Sequence, residues 1–463
     1  MASTDLTRTH TVATADERKK HTFSAWIKLS NIGSDSNVFF ANRPANNYRF
    51  YYMIMNSGGG GNTVPNAFYC YMVYNGSEML EASGTRKLRD PNAWYHIVVR
   101  TDTTQANASD RFRVYINGEQ DSVTLHHAPD QDEELQVNRD TTHYIGEEGN
   151  GNGQFNGSMS HIHFCDGYSY APTEFGSTDS TTGEWKINTS PNVQYGTNGF
   201  FILKDGNSVT DQSGNSHNWT VNAGTLTKTE DCPSHIFNTF NPLVPKHSNL
   251  TLLHGNTTLS STNSQWLGSM TTIPLFGGKW YYECKYNTGY NIKLSIMGYK
   301  SDLRHFTTAN NSYGEYNDNG YGYQFNNSGN DYLGNNASTP NWAGGLSSNT
   351  GDKIYMIAIN LENGKIWYGA DGTWFNDASG YTGNPTTDAY PHQTISATHL
   401  AQKPFVVTGS VEGNGASAHW NFGNGYFGTT AISSEGTNAS GIGKFEFDVP
   451  TGFTAISTKG LNE

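Results

Sequence analysis

The sequence predicts an all-β chain folded as two β-sandwich (jelly-roll) domains in tandem. Three observations carry this reading. Apolar and polar residues alternate over many short runs, the period of a strand with one buried face. Aromatics reach 13%, with 27 tyrosines and 23 phenylalanines, and such rings suit a pleated, half-buried surface. The 51 glycines, with Asn and Ser, crowd the gaps between runs, as tight turns require.

The elements follow in order. The opening "MASTDLTRTHTVATADERKK" is polar and reads as an N-terminal arm, residues 1–20, that orders on a docking partner. A first sandwich spans residues 21–228. In "HTFSAWIKLS", Phe23, Ala25, Ile27 and Leu29 share one face, and Ser24, Trp26, Lys28 and Ser30 take the other. "AWYHIVVR" and "RFRVYINGEQ" repeat the pattern, with Phe112, Val114 and Ile116 pointing one way and Arg111, Arg113 and Tyr115 the other. Asn117-Gly118 supplies the positive-φ pair of a two-residue hairpin. "THYIGEEGNGNGQFNGSMSHIHFCDGYSY" adds two strands around a glycine-rich loop.

Residues 229–262 carry three prolines without steady alternation and read as a connector. The second sandwich, 263–463, is built from "GGKWYYECKYN", "DKIYMIAINLENGKIWYGADGTWFN", "KPFVVTGSVEG" and "SAHWNFGNGYFG". "FEFDVPTGFTAISTKGLNE" closes it as a last strand. A long Asn-, Gly- and Tyr-rich stretch lies between these strands, and its regularly spaced rings read as anchors of ordered loops.

The totals exclude several classes of function. A formal net charge of −13 leaves no basic footprint for a phosphate backbone, so nucleic acid is not an expected partner. The opening lacks an apolar core, so no signal peptide is expected, and no run of 18 apolar residues predicts membrane insertion. Cys70, Cys165, Cys232 and Cys284 lie far apart and read as free thiols, with two disulfides as the alternative.

Two sets of stretches resemble known families. "FSAWIK", "NAWYHIVVRTD", "FRVYINGE", "YIGEEGNGNGQFNGSMSHIHFCDG" and "DQSGNSHNWT" resemble the laminin-G-like, concanavalin-type jelly roll. "KWYYECKY", "GDKIYMIAINLENGKIWYGADGTW", "PFVVTGSV" and "WNFG" resemble a SPRY domain, a sandwich used mainly to bind proteins or peptides. With "GYSYAPTEFGSTDSTTGEWKI", "DCPSHIFNTFNPL" and "VPTGFTAISTKGLN" in that order, the chain is similar to virion structural proteins of tailed phages, especially marine ones. That resemblance implies a non-enzymatic tail fiber, tail-associated component or head (capsid) decoration, made in the host cytoplasm and located in the virion. Its implied partners are other virion proteins, further copies of itself and a host-surface glycan; no cofactor is implied. The rival readings are a polysaccharide depolymerase on the concanavalin-type fold and a peptide-binding SPRY adaptor.

"DQSGNSHNWT" (Asp211–Thr220) reads as a calcium loop, a sugar site or a turn. The turn is the favoured reading, since calcium takes six or more oxygens and this run offers three or four. Asp211, Ser213 and Asn215 would bond nearby amides, with Gly214 at positive φ. The resemblance further implies that this region supplies the strand laminin-G domains place first, with Trp219 covering the sandwich edge.

Candidate chemistry is sparse. Concanavalin-type glucanases carry carboxylates at i, i+2 and i+4 of one strand, giving the roughly 5–5.5 Å separation of a retaining pair. "GKFEFDVPTG" offers Glu446 and Asp448 but then Pro450, and "PDQDEELQ" offers Asp130, Asp132 and Glu134 in a segment polar on both faces, so no catalytic residue is assigned. His161, His163 and Cys165 alternate onto one strand face, but a closed zinc site needs a fourth ligand, for which His126 or His127 would serve. They read as outward-facing polar residues, and no metal is assigned. Stacking on a sugar needs rings beside Asn, Asp or Gln. Tyr313, Tyr316, Tyr321, Tyr323, Trp342, Trp374 and Tyr381 are therefore the candidate ligand-binding residues, for glycan or for protein.

Overall fold

A computed structural model describes all residues except 1–3, 33–35, 56–62, 205–207, 287–289, 299–305, 308–319, 326–330, 336–340, 343–351 and 463, and the side chains of 331, 332, 335, 341, 342 and 462. The fold is all-β, with only short helical turns among the described residues. The chain forms two compact units: 1–228 with 232–234, and 229–231 with 235–463.

The first unit pairs an eight-stranded sheet with a six-stranded one. The larger runs Thr124–His127, Ser77–Ser83, Ala67–Tyr74, Tyr48–Met55, Asn37–Ala45, Thr142–Ile145, Asp5–Thr9 and Thr220–Ala223. The smaller runs Phe200–Ile202, Gly157–Asp166, Lys20–Leu29, Tyr95–Asp102, Phe112–Ile116 and Glu119–Gln120. Phe23, Ala25, Ile27 and Leu29 meet Phe39, Phe40, Tyr52, Val99 and Val114 in the core, so the alternation is read out as face selection. Asn117 and Gly118 take φ 50° and 79° and close the two-residue hairpin. A Cβ on Gly118 would lie 2.3 Å from the Trp185 ring, so this position requires glycine twice over.

Two expectations are corrected here. Residues 1–20 are not an arm. Asp5–Thr9 lies between Thr142–Ile145 and Thr220–Ala223, and Leu6 joins the core. The helical turn Ala15–Lys19 follows, with a capping box between Thr14 and Glu17. The second face of Lys20–Leu29 is not solvated either. Trp26 stacks on His96 at 4.9 Å, and His96 lies against Trp185 of the hairpin Gly176–Thr178/Trp185–Ile187.

In the second unit, one sheet runs Leu250–Leu253, Thr258–Ser261, Ser417–Asn421, Lys279–Tyr286, Ile354–Asn360, Lys365–Ala370 and Thr373–Trp374. Gln393–Thr394 joins it beside Lys365–Ala370, and Thr454–Ala455 runs parallel to Lys279–Tyr286. The other sheet runs Trp266–Met270, Phe405–Glu412, Asn291–Gly298, Gly320–Phe325, Asp331–Asn335 and Asn341–Trp342. Trp280, Tyr282, Leu294, Ile296, Tyr355, Ile357 and Trp420 fill the space between them. Most of the expected connector belongs to this unit: two of its strands pair within the first sheet, and Phe240 is buried in the core. Its prolines had masked that signal.

Candidate functional site

The Asn-, Gly- and Tyr-rich stretch contributes less surface than its composition suggests. Tyr321, Tyr323 and Phe325 are successive inward positions of one strand, at 3%, 0% and 0% exposure. Tyr323 stacks on Tyr368 at 5.3 Å and meets Phe375. The Tyr321 hydroxyl accepts from Ser396 N and faces His399 Nδ1 at 2.8 Å. Both rings are core, which corrects their assignment as ligand contacts. The spacing Tyr-x-Tyr-x-Phe is itself a strand signal that would have placed them there. Trp374 is half-buried against Tyr281. Tyr313 and Tyr316 lie outside the described residues, as does the side chain of Trp342.

Among the described candidates Tyr381 is the most exposed, at 57%, and it does not stand alone. Tyr390, 45% exposed, stacks on it with ring centroids 4.9 Å apart and planes 18° from parallel. The loop beneath is fastened at several points. Asp377 Oδ1 accepts from Ser379 N and Tyr381 N. Asn384 and Ala389 exchange backbone bonds. Asp388 receives Asn360 Nδ2, Asn363 Nδ2 and Lys365 Nζ, and the buried Trp367 donates from Nε1 to Ala389 O. Gly383 packs so closely on Trp367 and His392 that an added Cβ would lie 3.0 Å from the indole.

These ties hold Tyr390 at φ 51°, a conformation that costs a bulky L-residue about 1–2 kcal/mol. A loop that spends this strain to present a ring outward is preorganised for contact. The exposed side chains of Asn376, Thr382 and Asn384 lie on the same loop, and its nearest cation in the hydrogen-bond network, Lys365, is already paired with Asp388. The surface is aromatic and neutral-polar. It can stack on a ring or an apolar face and hydrogen-bond hydroxyls or amides. Nothing in the sequence marked Tyr390, because its partner lies nine positions away across a loop.

The other candidates resolve into structure. Asp211 Oδ1 accepts from Phe201 N and Ser213 N, and Oδ2 from Ser213 Oγ and His217 N, while Gly214 takes φ 92°. "DQSGNSHNWT" is therefore a turn closed around one carboxylate. Trp219 is buried against Phe200. Two short strands flank this turn: Phe200–Ile202 pairs with Gly157–Asp166 at the edge of one sheet, and Thr220–Ala223 with Asp5–Thr9 at the edge of the other.

The alternation of His161, His163 and Cys165 is broken at His161, where φ is 48° and the register shifts. His163 lies under Tyr195 and Phe201, and Cys165 packs with Val98 and Phe175, so these side chains do not face solvent as expected. Among the described residues no group of three His, Cys, Asp or Glu could hold a metal ion. All four cysteines are unbridged. Four of the five spaced carboxylates are engaged: Glu446 accepts from Ser433, Asp448 from Thr437, Glu134 pairs with Arg18 and Asp132 with Lys19, while Asp130 is exposed.

Residues 3–174 match the family model described as the concanavalin A-like lectin/glucanases superfamily. The first unit thus carries a concanavalin A-like jelly roll. No curated protein matches the sequence. Solved structures similar to part of the chain include the TRIM65 PSpry domain, at 12% identity and TM-score 0.30, covering 40% of this chain and 88% of that one. The SPRY domain of human HERC1 is similar at 11% identity and TM-score 0.27, covering 39% of this chain and 96% of that one.

Proposed function

We propose that the protein is a non-enzymatic virion structural protein of a tailed phage: a tail fiber, a tail-associated component or a head decoration. Its two sandwiches bind neighbouring virion proteins and further copies of the chain, and the Tyr381–Tyr390 loop contacts a host-surface glycan. The observation that carries the binding role is the strained, fastened presentation of two stacked tyrosines on a loop of exposed Asn and Thr. The ordered series of stretches shared with phage structural proteins supports the virion assignment, and the second unit enters as a SPRY-like binding module.

A non-catalytic reading is supported by the engagement of Glu446, Asp448 and Glu134 in local hydrogen bonds and an ion pair. Acidic residues that already hold their own loops are poor candidates for a free acid/base pair. Sedimentation of phage particles through a density gradient tests the assignment. The chain should co-sediment with them at fixed stoichiometry. Its absence from particles, or release of reducing sugar from polysaccharide by the purified chain, would overturn it.

A further inference from the structure

We propose that the stacked His10–His143 pair is an acid-sensitive latch that holds the N-terminal segment, Asp5–Ala13, in the first unit and releases it in mildly acidic solution. His10 lies just past the strand Asp5–Thr9, and His143 is on its partner Thr142–Ile145, opposite Arg8. The two rings are buried and face each other with centroids 3.6 Å apart and planes 13° from parallel.

The hydrogen bonds require His143 to be neutral, and they leave a protonated His10 with one unanswered donor. His143 Nδ1 donates to Thr141 O at 2.9 Å, and Nε2 accepts from Asn42 Nδ2 at 3.1 Å. A second proton on His143 would confront the Asn42 donor. His10 Nδ1 donates to Asn138 Oδ1, and its Nε2 is buried with no hydrogen-bond partner among the described residues. A proton there would be buried between Phe164, Phe200 and the other imidazole.

The pair is wired to the N-terminal segment through a closed amide network. Asn138 Oδ1 also accepts from Asn198 Nδ2. Asn198 grips Thr11 at three points: its Oδ1 accepts from Thr11 N and Oγ1, and its Nδ2 donates to Thr11 O. Arg8 Nη1 donates to Asn198 O.

The charged and titratable groups facing the pair are Arg8, Asp166 and His217, with Asp211 and Glu17 acting on Arg8 and Asp166. His143 is faced from the other strands by Phe40 and Phe50. Asp166, bonded to Asn138 Nδ2 and Asn198 N, is the carboxylate that would compensate a charged imidazole. Burial pushes it up to about 7, so it loses its charge over the range in which the histidines would gain theirs.

The signs oppose, and the contacts decide: Asp166 keeps its bonds to Asn138 and Asn198 when the segment leaves, whereas His10 leaves with it. Burial holds His143 at about 3, and holds His10 well below its ordinary value with help from His143 and Arg8. Released, His10 takes up a proton near 6.5, so its contribution to holding the segment is present above that pH and lost as pH falls through it.

The segment also buries few apolar side chains. Leu6 and Ala13 are its buried apolar side chains, and Val12 is 72% exposed. The strand it would take with it, Thr220–Ala223, is exposed along its length. Local opening is favoured where few apolar contacts are lost.

Amide hydrogen exchange on the full chain, expressed as protection factors, tests this at pH 7.5 and 5. Protection over residues 5–11 should fall about tenfold at the lower pH while residues 23–29 and 96–101 stay unchanged. His10→Gln, which keeps a donor toward Asn138 without a titratable ring, should remove that response. A Thr9→Cys/Thr142→Cys pair, placed at opposed positions of the two strands, should remove it when oxidised and restore it when reduced. An unchanged N-terminal protection at pH 5, an equal loss in the central strands, or a full response in His10→Gln would overturn the proposal.

Discussion

The ring of Tyr390 lies against that of Tyr381, 4.9 Å centroid to centroid, on a loop that both buried and charged side chains fasten to the sheet behind it. Neither ring belongs to the core, so removing one should leave the fold intact and change only what the surface can hold. Tyr381→Ala and Tyr390→Ala should each shift unfolding by less than about 1 kcal/mol, as surface substitutions do. Replacing Tyr390 by glycine should stabilise the loop slightly, because it relieves the positive φ. Urea unfolding of the three variants checks this.

Asp211 behaves oppositely. Burial acts against its charge, but the donors of Phe201, Ser213 and His217 outweigh burial and hold its carboxyl below the ordinary range. Its contribution is therefore present above about pH 4 and lost as pH falls below that. Asp211→Ala strands four donors and should cost about 2–4 kcal/mol. Calcium and EDTA should leave the midpoint of the unsubstituted chain unchanged, since the carboxylate is already fully engaged.

In the second unit Glu283 is buried and receives Tyr281 Oη, Asn421 Nδ2, and the backbone amides of Glu446 and Phe447. Burial pushes it up to about 7 against those four donors. A carboxyl raised in the folded state stabilises fully below its unfolded value near 4.5 and progressively less as pH rises toward 7. Glu283→Gln turns an amide NH2 toward existing donors and should cost about 2–3 kcal/mol at neutral pH. Hydrogen exchange should rise first at Glu446 and Phe447.

The histidines of the first unit give the reverse slope. His21 and His96, like His143, are buried and held at about 3, each chiefly by burial. Each unfolds to an ordinary imidazole, so stability is lost as pH falls from about 6.5 toward 3, at about 1.4 kcal/mol per pH unit per group. Asp166 offsets one of them above about pH 4. The thermal midpoint should drop below pH 6 in both units, because burial holds His235, His392 and His419 of the second at about 4 and Glu283 offsets only one of them; the drop should continue to lower pH in the first.

Much of the fold was legible because alternation and Asn-Gly turns are local signals. Phe112, Val114 and Ile116, or Asn117-Gly118, announce themselves within six residues. What escaped was set by partners distant in sequence. Leu6 looks like one apolar residue in a polar tail until Ile145 and Val221 flank it. Trp26 and His163 read as an outer face because nothing nearby says that residues 168–198 cover it. At the candidate site, tyrosine count singled out the exposed Tyr381 but two core rings as well. Tyr323 fell on the wrong side of that division for want of reading its own alternation with Tyr321 and Phe325.

The most direct measurement is a glycan array probed with the intact chain beside Tyr381→Ala and Tyr390→Ala. The account predicts saturable binding to a defined glycan, unaffected by EDTA and weakened at least tenfold by either substitution, as expected for loss of a stacking ring worth about 1.5 kcal/mol or more. Binding that both variants retain in full, or no binding at high micromolar concentration, would contradict it.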